Sequence, residues 1–468
     1  MTTAGGAQVP STAVSTVRGK AQRELVPRTA HADLADRPEG FDAVSVLKAQ
    51  AEGRVEDLLQ LRYERMAADT FSFLRGAAAI MAADLSFGPS TDLTVQLCGD
   101  AHLSNFGVFM SPERRLVFDI NDFDETHPGP FEWDLKRLAA SVAVAGDCLN
   151  LTRGAQERAA IGSVRVYREA MRRFARASTL DVWYAHLDVE DALKELGGWL
   201  SDEAARHTQS VLERARSRHA RRAYDRLITE TDEGPRIRSD PPLLVPMRDL
   251  AEPVNAATAY GFLVDVLRGY ESTLPLDRRH LLHQFTPIDA ARKVVGVGSV
   301  GTRCFAVLLL GRDGDDPFFL QIKEAAASVL EPYLGPSKFP TAGQRVVVGQ
   351  QLIQATPDEF LGWLDAPDER GADRPFYVRQ LFDGKASAEV SSFNASLLCS
   401  YAQVCGWTLA RAHARSGDRF AISSYLGKSD AFDRAIASFA LAYVARNHAD
   451  HTALTDAIAS GRVAATET

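Results

Sequence analysis

Twenty-two positions separate two aspartates whose neighbours could move phosphate, Asp100 and Asp122. The first lies in Cys98-Gly99-Asp100-Ala101-His102-Leu103-Ser104-Asn105, a G-D-x-H-x-x-N pattern. The second lies in Phe118-Asp119-Ile120-Asn121-Asp122-Phe123-Asp124-Glu125, an apolar run ending in D-F-D. Kinase-type phosphoryl transfer needs a carboxylate that orients or deprotonates the acceptor hydroxyl. It also needs oxygen ligands that hold Mg²⁺ against nucleotide phosphates. Asp100 suits the first task. Asn105 and Asp122 suit the second, because Mg²⁺ takes carboxylate and amide oxygens. Asp119 and Asp124 flank Asp122, and either could be the ligand instead. His102 suits a structural role, holding the loop by hydrogen bonds. Turns and caps also favour Asp and Asn, so one such motif alone decides nothing; two, each directly after an apolar strand, weigh more. A calcium loop over 119–125 is excluded, since the run lacks alternating oxygen ligands and a central Gly.

The elements that must position these groups can be read from periodicity. Asp42–Ala51 and Val55–Asp84 read as helices, the second from the spacing of Leu58, Leu61, Met66, Phe73 and Met81. Thr91–Leu97 reads as a strand delivering Asp100, and Leu116–Ile120 as one delivering Asp122. Helices follow over Trp133–Ala145, Gly154–Ala177, Glu190–Trp199 and Glu203–Leu227. The last carries Arg206, Arg214, Arg216, Arg218, Arg221 and Arg222 and reads as a solvated face. Gly234–Pro246 reads as a loop. Asp134, at the start of a helix twelve residues past Asp122, reads as an N-cap.

The texture then becomes β-rich. Gly296-x-Gly298-x-x-Gly301 occurs in both dinucleotide folds and kinase phosphate-covering loops. The dinucleotide version needs a helix directly after the third Gly, but Cys304–Leu310 continues as a strand, turns at Gly311–Pro317 and returns as strand Phe318–Ile322. A glycine loop between antiparallel strands fits the kinase arrangement, with Gly296, Gly298, Ser299 and Gly301 facing phosphate. Lys323 ends Leu320-Gln321-Ile322-Lys323, like the V-A-I-K strand whose Lys reaches the α- and β-phosphates. Its expected partner is acidic and on the following helix, Gly343–Ala355. Glu324 and Glu331 are close in sequence, and Gln350 occupies that place, so the partner stays open. Phe376–Leu381 reads as a further strand, and the chain is helical from Ser391.

With 46% hydrophobic and 24% charged residues, the chain has a globular composition. Its net charge of −8 argues against a nucleic-acid binder that relies on a positive field. Five scattered cysteines without a C-x-x-C pair predict no zinc site and no disulfide framework, and fit a cytoplasmic location. No apolar run is long enough to span a membrane. The Thr-, Ser-, Ala- and Gly-rich start predicts disorder over 1–20.

Arg62-Tyr63-x-Arg65-Met66, Phe73-Leu74-Arg75-Gly76-Ala77, CGDAHLSNFG, FDINDFDETHPGPFEWDLKRLAAS, KVVGVGSVGTRCF and LQIKEA closely resemble the bacterial family known as domain of unknown function 2252. The resemblance runs from Leu25-Val26-Pro27-Arg28 to Phe439-Ala440-x-Ala442-Tyr443. The family brings no settled activity. Its loop motifs are remotely similar to those of the protein-kinase-like and aminoglycoside phosphotransferase superfamily, which implies that Asp134 supports the Asp100 loop. That similarity implies an α+β, protein-kinase-like two-lobe fold. Here Asp100 and Asp122 precede the glycine loop, so the expected fold is circularly permuted. Its parts would be a helical lobe over 21–285, a β-rich nucleotide lobe over 286–385, and C-terminal helices over 386–468. Cys98 departs from the His or Tyr usual before G-D.

The implied function is phosphotransfer from ATP with Mg²⁺ to a small-molecule acceptor, since no activation segment follows Asp122. A nucleotide-binding pseudokinase and an AMP transferase on the same fold are the alternatives. A metal-dependent phosphohydrolase would have no use for Lys323 and the glycine loop.

Overall fold

The computed structural model describes residues 11–189, 213, 220–232, 234–250, 256–314, 316–367, 371–381 and 385–463. The expected helix Glu190–Trp199 lies outside the described residues. Of Glu203–Leu227, helix is described over Ala220–Leu227.

Of the expected disordered stretch 1–20, residues 1–10 lie outside the described residues, and from Thr12 the chain is helical. Ser11 caps Thr12–Leu25 by accepting from the Val14 N–H at 3.3 Å. Ser15, Gly19 and Gln22 are buried along one side. A Cβ on Gly19 would lie 2.1 Å from the Ala421 carbonyl oxygen, so its absence allows close packing on helix Arg419–Leu426. Ser15 and Gly19, within the stretch expected to be disordered, therefore lie on a packing face.

The long helix expected over Val55–Asp84 is broken into Leu59–Ala67, Thr70–Gly76 and Ala78–Ser86. Asp69 makes one break. Its backbone is extended, and its carboxylate accepts from the Ser72 N–H at 2.7 Å. The apolar spacing continues across the break, so periodicity did not mark it.

Strands β1 (Thr94–Leu97), β2 (Phe106–Met110), β3 (Leu116–Ile120) and β4 (His127–Pro130) frame the two acidic motifs. β2 and β3 form a hairpin pairing Phe106 with Ile120, so Asn105 and Asn121 meet at its open end. The Asn121 N–H donates to the Asn105 carbonyl at 2.8 Å. β1 pairs with β4 and ties the Asp100 loop to the segment after Asp124. Helix Phe131–Cys148 follows and is buried on all sides from Phe131 to Gly146. It runs through the main core against helices Arg153–Phe174, Ala395–Ser416 and Ala431–Ala459. Its buried charges have partners: Glu132 accepts from the Thr91 hydroxyl, and Lys136 sits over the Phe439 ring.

The remaining strands are β5 (Leu187–Asp188), β6 (Ile228–Thr231), β7 (Gly234–Ile237), β8 (Leu244–Pro246), β9 (Thr286–Lys293), β10 (Cys304–Leu310), β11 (Pro317–Glu324), β12 (Gly362–Pro367), β13 (Asp373–Gln380) and β14 (Ala386–Ser387). Six of them form an antiparallel sheet in the order β12-β13-β11-β10-β9-β8. Gly234–Pro246, expected as a loop, thus contains β7 and an edge strand of this sheet. Side chains alternate between its faces. Val307, Leu320, Ile322 and Val378 form an outer face packed on helix Ala256–Glu271. On the inner face, Leu308, Leu310 and Phe319 pack against Ile228, Ile237 and Ala223. Its other end carries Gln321, Lys323, Tyr377 and Arg379, turned toward the acidic motifs. The architecture is α+β with several sheets, and among the described residues no helix is long and apolar enough to cross a membrane.

Candidate functional site

The Asp100 loop is held from below by Asp134. One Asp134 oxygen accepts from the Cys98 N–H at 2.9 Å and the other from the Gly99 N–H at 3.1 Å. His413 Nε2 lies 3.2 Å from Asp134, and His413 Nδ1 lies 2.9 Å from the Tyr167 hydroxyl. Asp134 therefore braces the loop rather than capping its helix. Gly99 has φ +87°, and a Cβ there would lie 2.1 Å from the Glu125 carbonyl oxygen. Glycine is required at this point by both conformation and space.

Asp100 accepts from Arg137 Nε at 2.7 Å. Arg137 is buried and also donates to the Leu74 carbonyl. His102 Nε2 lies 3.7 Å from the other Asp100 oxygen. Burial lowers the His102 pKa to about 3 against the pull of Asp100, so the ring is neutral near pH 7. Asn105 donates its amide to the Asp100 carbonyl at 2.8 Å, which leaves Oδ1 as its acceptor atom.

The three aspartates of the second motif have separate fates. Asp119 is buried in an ion pair with Arg411 and also accepts from the Ala355 N–H, so it braces the core. Asp124, expected as a metal ligand, is instead the counter-ion of Lys323. One Asp124 oxygen accepts from Lys323 Nζ and the other from the Tyr377 hydroxyl at 2.9 Å. Asp122 is left facing the cavity. One of its oxygens accepts from the Asp124 N–H at 3.2 Å, and the other has no donor among the described residues. Burial opposes its charge, but Lys323, Arg379 and Lys385 outweigh burial and hold its carboxyl below the usual range.

Lys323 Nζ also donates to the Ser299 hydroxyl at 3.0 Å. Burial opposes its charge, yet Asp124, Tyr377 and Asp122 together raise its pKa. Gln350, which stands where topology would put the partner, makes no hydrogen bond with Lys323. Gln350 donates to Gln354 and lines a different cavity with Asp358 and Arg379. The acidic partner comes from the D-F-D motif, 199 residues away.

The glycine loop joins β9 to β10. Gly296 and Gly301 have φ of +67° and +88°. Arg65 donates to the Gly296 carbonyl, Arg54 to those of Gly298 and Val300, and the Val55 N–H to that of Gly301. With the carbonyls held this way, the N–H groups of Val297, Gly298 and Ser299 have no acceptor among the described residues. Successive free N–H groups in a turn are an anion-binding feature.

Asp100, Asn105, Asp122, Gly296, Gly298 and Ser299 line one cavity of ≈ 110 Å³. Reading the sequence missed four residues of this site: Arg54, Arg75, Glu125 and Tyr377. Arg75 lines the cavity with its Nε buried and without an acceptor. Its only signal was the run F-L-R-G-A, which has no chemistry of its own.

Glu125 lines the same cavity and accepts from the Val329 N–H at 2.7 Å. Burial pushes its carboxyl from 4.5 up to about 7, with Asp124 and Asp100 adding to the effect. The folded state therefore binds this proton more tightly than the unfolded chain. That stability is complete below about 4.5 and is lost as pH rises through about 7. Glu125→Gln should match the parent near pH 4 and exceed its unfolding free energy near pH 8 by about 3 kcal/mol. Equal pH slopes in the two proteins would show that Glu125 titrates normally.

The family described as "Uncharacterized protein conserved in bacteria (DUF2252)" matches residues 54–457. The chain belongs to this family. No curated protein and no solved structure matches it. The DUF2252 match begins at Arg54, which holds the glycine loop, and spans every site residue named above.

Proposed function

We propose that this DUF2252 chain is a Mg²⁺- and ATP-dependent phosphotransferase with a small-molecule acceptor, built on a circularly permuted kinase-like fold. One observation carries the reading. Asp100, Asn105, Asp122 and Asp124 line one cavity with a glycine loop, and a buried Lys from almost two hundred residues later is bound to Asp124 and Ser299 of its wall. A phosphohydrolase needs the acids but not that loop and Lys. The unpaired cysteines fit a cytoplasmic setting.

The residues suit the two ligands. Asp122 has an oxygen without a donor among the described residues, and Asn105 has its amide oxygen. Among the described residues, no group of three or more His, Cys, Asp or Glu could hold a metal alone. That fits Mg²⁺, which is commonly held by one or two carboxylates together with substrate phosphates. ATP with Mg²⁺ would supply the phosphoryl group. The free N–H groups of Val297, Gly298 and Ser299 would hold phosphate oxygens, with Lys323 and Arg75 balancing their charge. Asp100 would accept the acceptor hydroxyl's proton, and Arg137 would fix its orientation. The cavity of ≈ 110 Å³ is smaller than the ~300–1,000 Å³ typical of ligand sites. The sheet and helical core must part to admit a nucleoside, a motion of the kind common in phosphotransferases.

The test is calorimetric titration with ATP, with and without Mg²⁺, on the parent and Asp122→Ala. Binding should require Mg²⁺ and weaken at least tenfold in the variant. An unchanged Mg²⁺ dependence would remove Asp122 as the ligand, and no binding by the folded parent would end the reading. The product separates the alternatives: ADP for phosphotransfer, pyrophosphate for AMP transfer, neither for a pseudokinase.

A further inference from the structure

We propose that the chain binds an amphiphilic anion, an apolar chain with a carboxylate or phosphate head, between the outer face of the six-stranded sheet and helix Ala256–Glu271. This site is separate from the Asp100 cavity, and the proposal does not rest on the phosphotransferase reading. The space measures ≈ 1070 Å³, at the upper end of the ~300–1,000 Å³ usual for small-molecule sites. Val245, Leu263, Val307, Ile322 and Phe376 give it an apolar wall. Such a wall suits a hydrocarbon chain.

Arg292 supplies the charge. On β9 it pairs in register with Phe305 on one side and Val245 on the other, which puts it on this same face. Its Nε is buried and has no acceptor among the described residues. The other cations of the wall are held. Arg303 donates to the Gly53 carbonyl and to Glu324, Arg374 lies 4.0 Å from Glu324, and Arg54 holds the glycine loop. The acids of the lining, Glu56, Asp57 and Asp249, are exposed and so stay solvated at the mouth. A buried guanidinium donor in an apolar wall carries a desolvation penalty that a bound anion would offset.

The two cavities share Arg54. An occupant of the larger one therefore lies one side chain from the glycine loop.

The experiment is calorimetric titration of the full chain with dodecanoate, dodecyl phosphate and dodecyltrimethylammonium, each below its micelle concentration. At least one anion should bind one to one, and the cation at least tenfold more weakly. Octanoate should bind roughly tenfold or more below dodecanoate, because each buried CH₂ contributes. Arg292→Gln should remove the preference for anions and Arg292→Lys should restore it, with unfolding curves confirming that both fold. Equal binding of anion and cation, no dependence on chain length, or an unchanged preference in Arg292→Gln would each overturn the proposal.

Discussion

Asp100→Asn is expected to lower turnover by about 10²–10⁴-fold, the range for losing a positioned general base, while leaving Mg²⁺-ATP affinity within about threefold. The separation follows from the geometry. Among the described residues the Asp100 carboxylate makes no hydrogen bond to Asp122 or to the Asp124–Lys323 pair, and it binds Arg137 through one oxygen. Asparagine is the informative replacement because it keeps an oxygen for Arg137. Alanine would leave that buried guanidinium unpaired, at a cost of about 3–5 kcal/mol, and confuse unfolding with lost chemistry. The variant should therefore unfold within about 1–2 kcal/mol of the parent, since a neutral amide still accepts the hydrogen bond. If affinity falls together with turnover, Asp100 holds nucleotide and is not the base. If turnover is unchanged, the proton leaves by another route, and Glu125 in the same cavity becomes the candidate.

What could be read in advance was the placement of side chains anchored to local structure. That Asp100, Asn105 and Asp122 would lie together was legible because each sits close beside a short apolar strand. Lys323 was legible because Leu320-Gln321-Ile322-Lys323 alternates, which fixes the face its side chain takes. What tertiary packing decides was not legible. Nothing local distinguishes Asp119, Asp122 and Asp124, and Arg411, Lys323 and Tyr377 sort them from distant parts of the chain. Gln350 was placed by topology alone, and its side chain turns to Gln354 instead. Thr12–Leu25 was misread because packing through Gly19 depends on a partner some four hundred residues away. β9 escaped notice because Thr286–Lys293 mixes Pro, Asp, Ala and Arg without an apolar alternation.

The Lys323–Asp124 pair should behave as a coupled unit in a double-mutant cycle. Lys323 is buried and the Asp124 side chain is about a quarter exposed. Asp124→Asn leaves a buried ammonium with a weakened partner and should cost about 3 kcal/mol. Lys323→Met leaves a carboxylate that still reaches water and accepts from Tyr377 and Ser299, so it should cost about 1–2 kcal/mol. The double variant should be more stable than the sum predicts, by at least about 1 kcal/mol, as measured by denaturant unfolding. Additive losses would mean that the two groups do not sense each other. The direction of any shortfall is informative. Asp122 also acts on Lys323, and it is the other carboxylate that favours the charged Lys323 when Asp124 is neutralised. Asp124→Asn should then weaken Mg²⁺-dependent nucleotide binding although Asp122 is intact, because Lys323 would occupy the carboxylate that the cation needs. Lys323→Met in the same background should restore the Mg²⁺ dependence, at the lower overall affinity expected once the Lys323 charge is gone. A loss that Lys323→Met does not reverse would place Asp124 itself among the metal ligands, against the geometry that assigns both of its oxygens elsewhere.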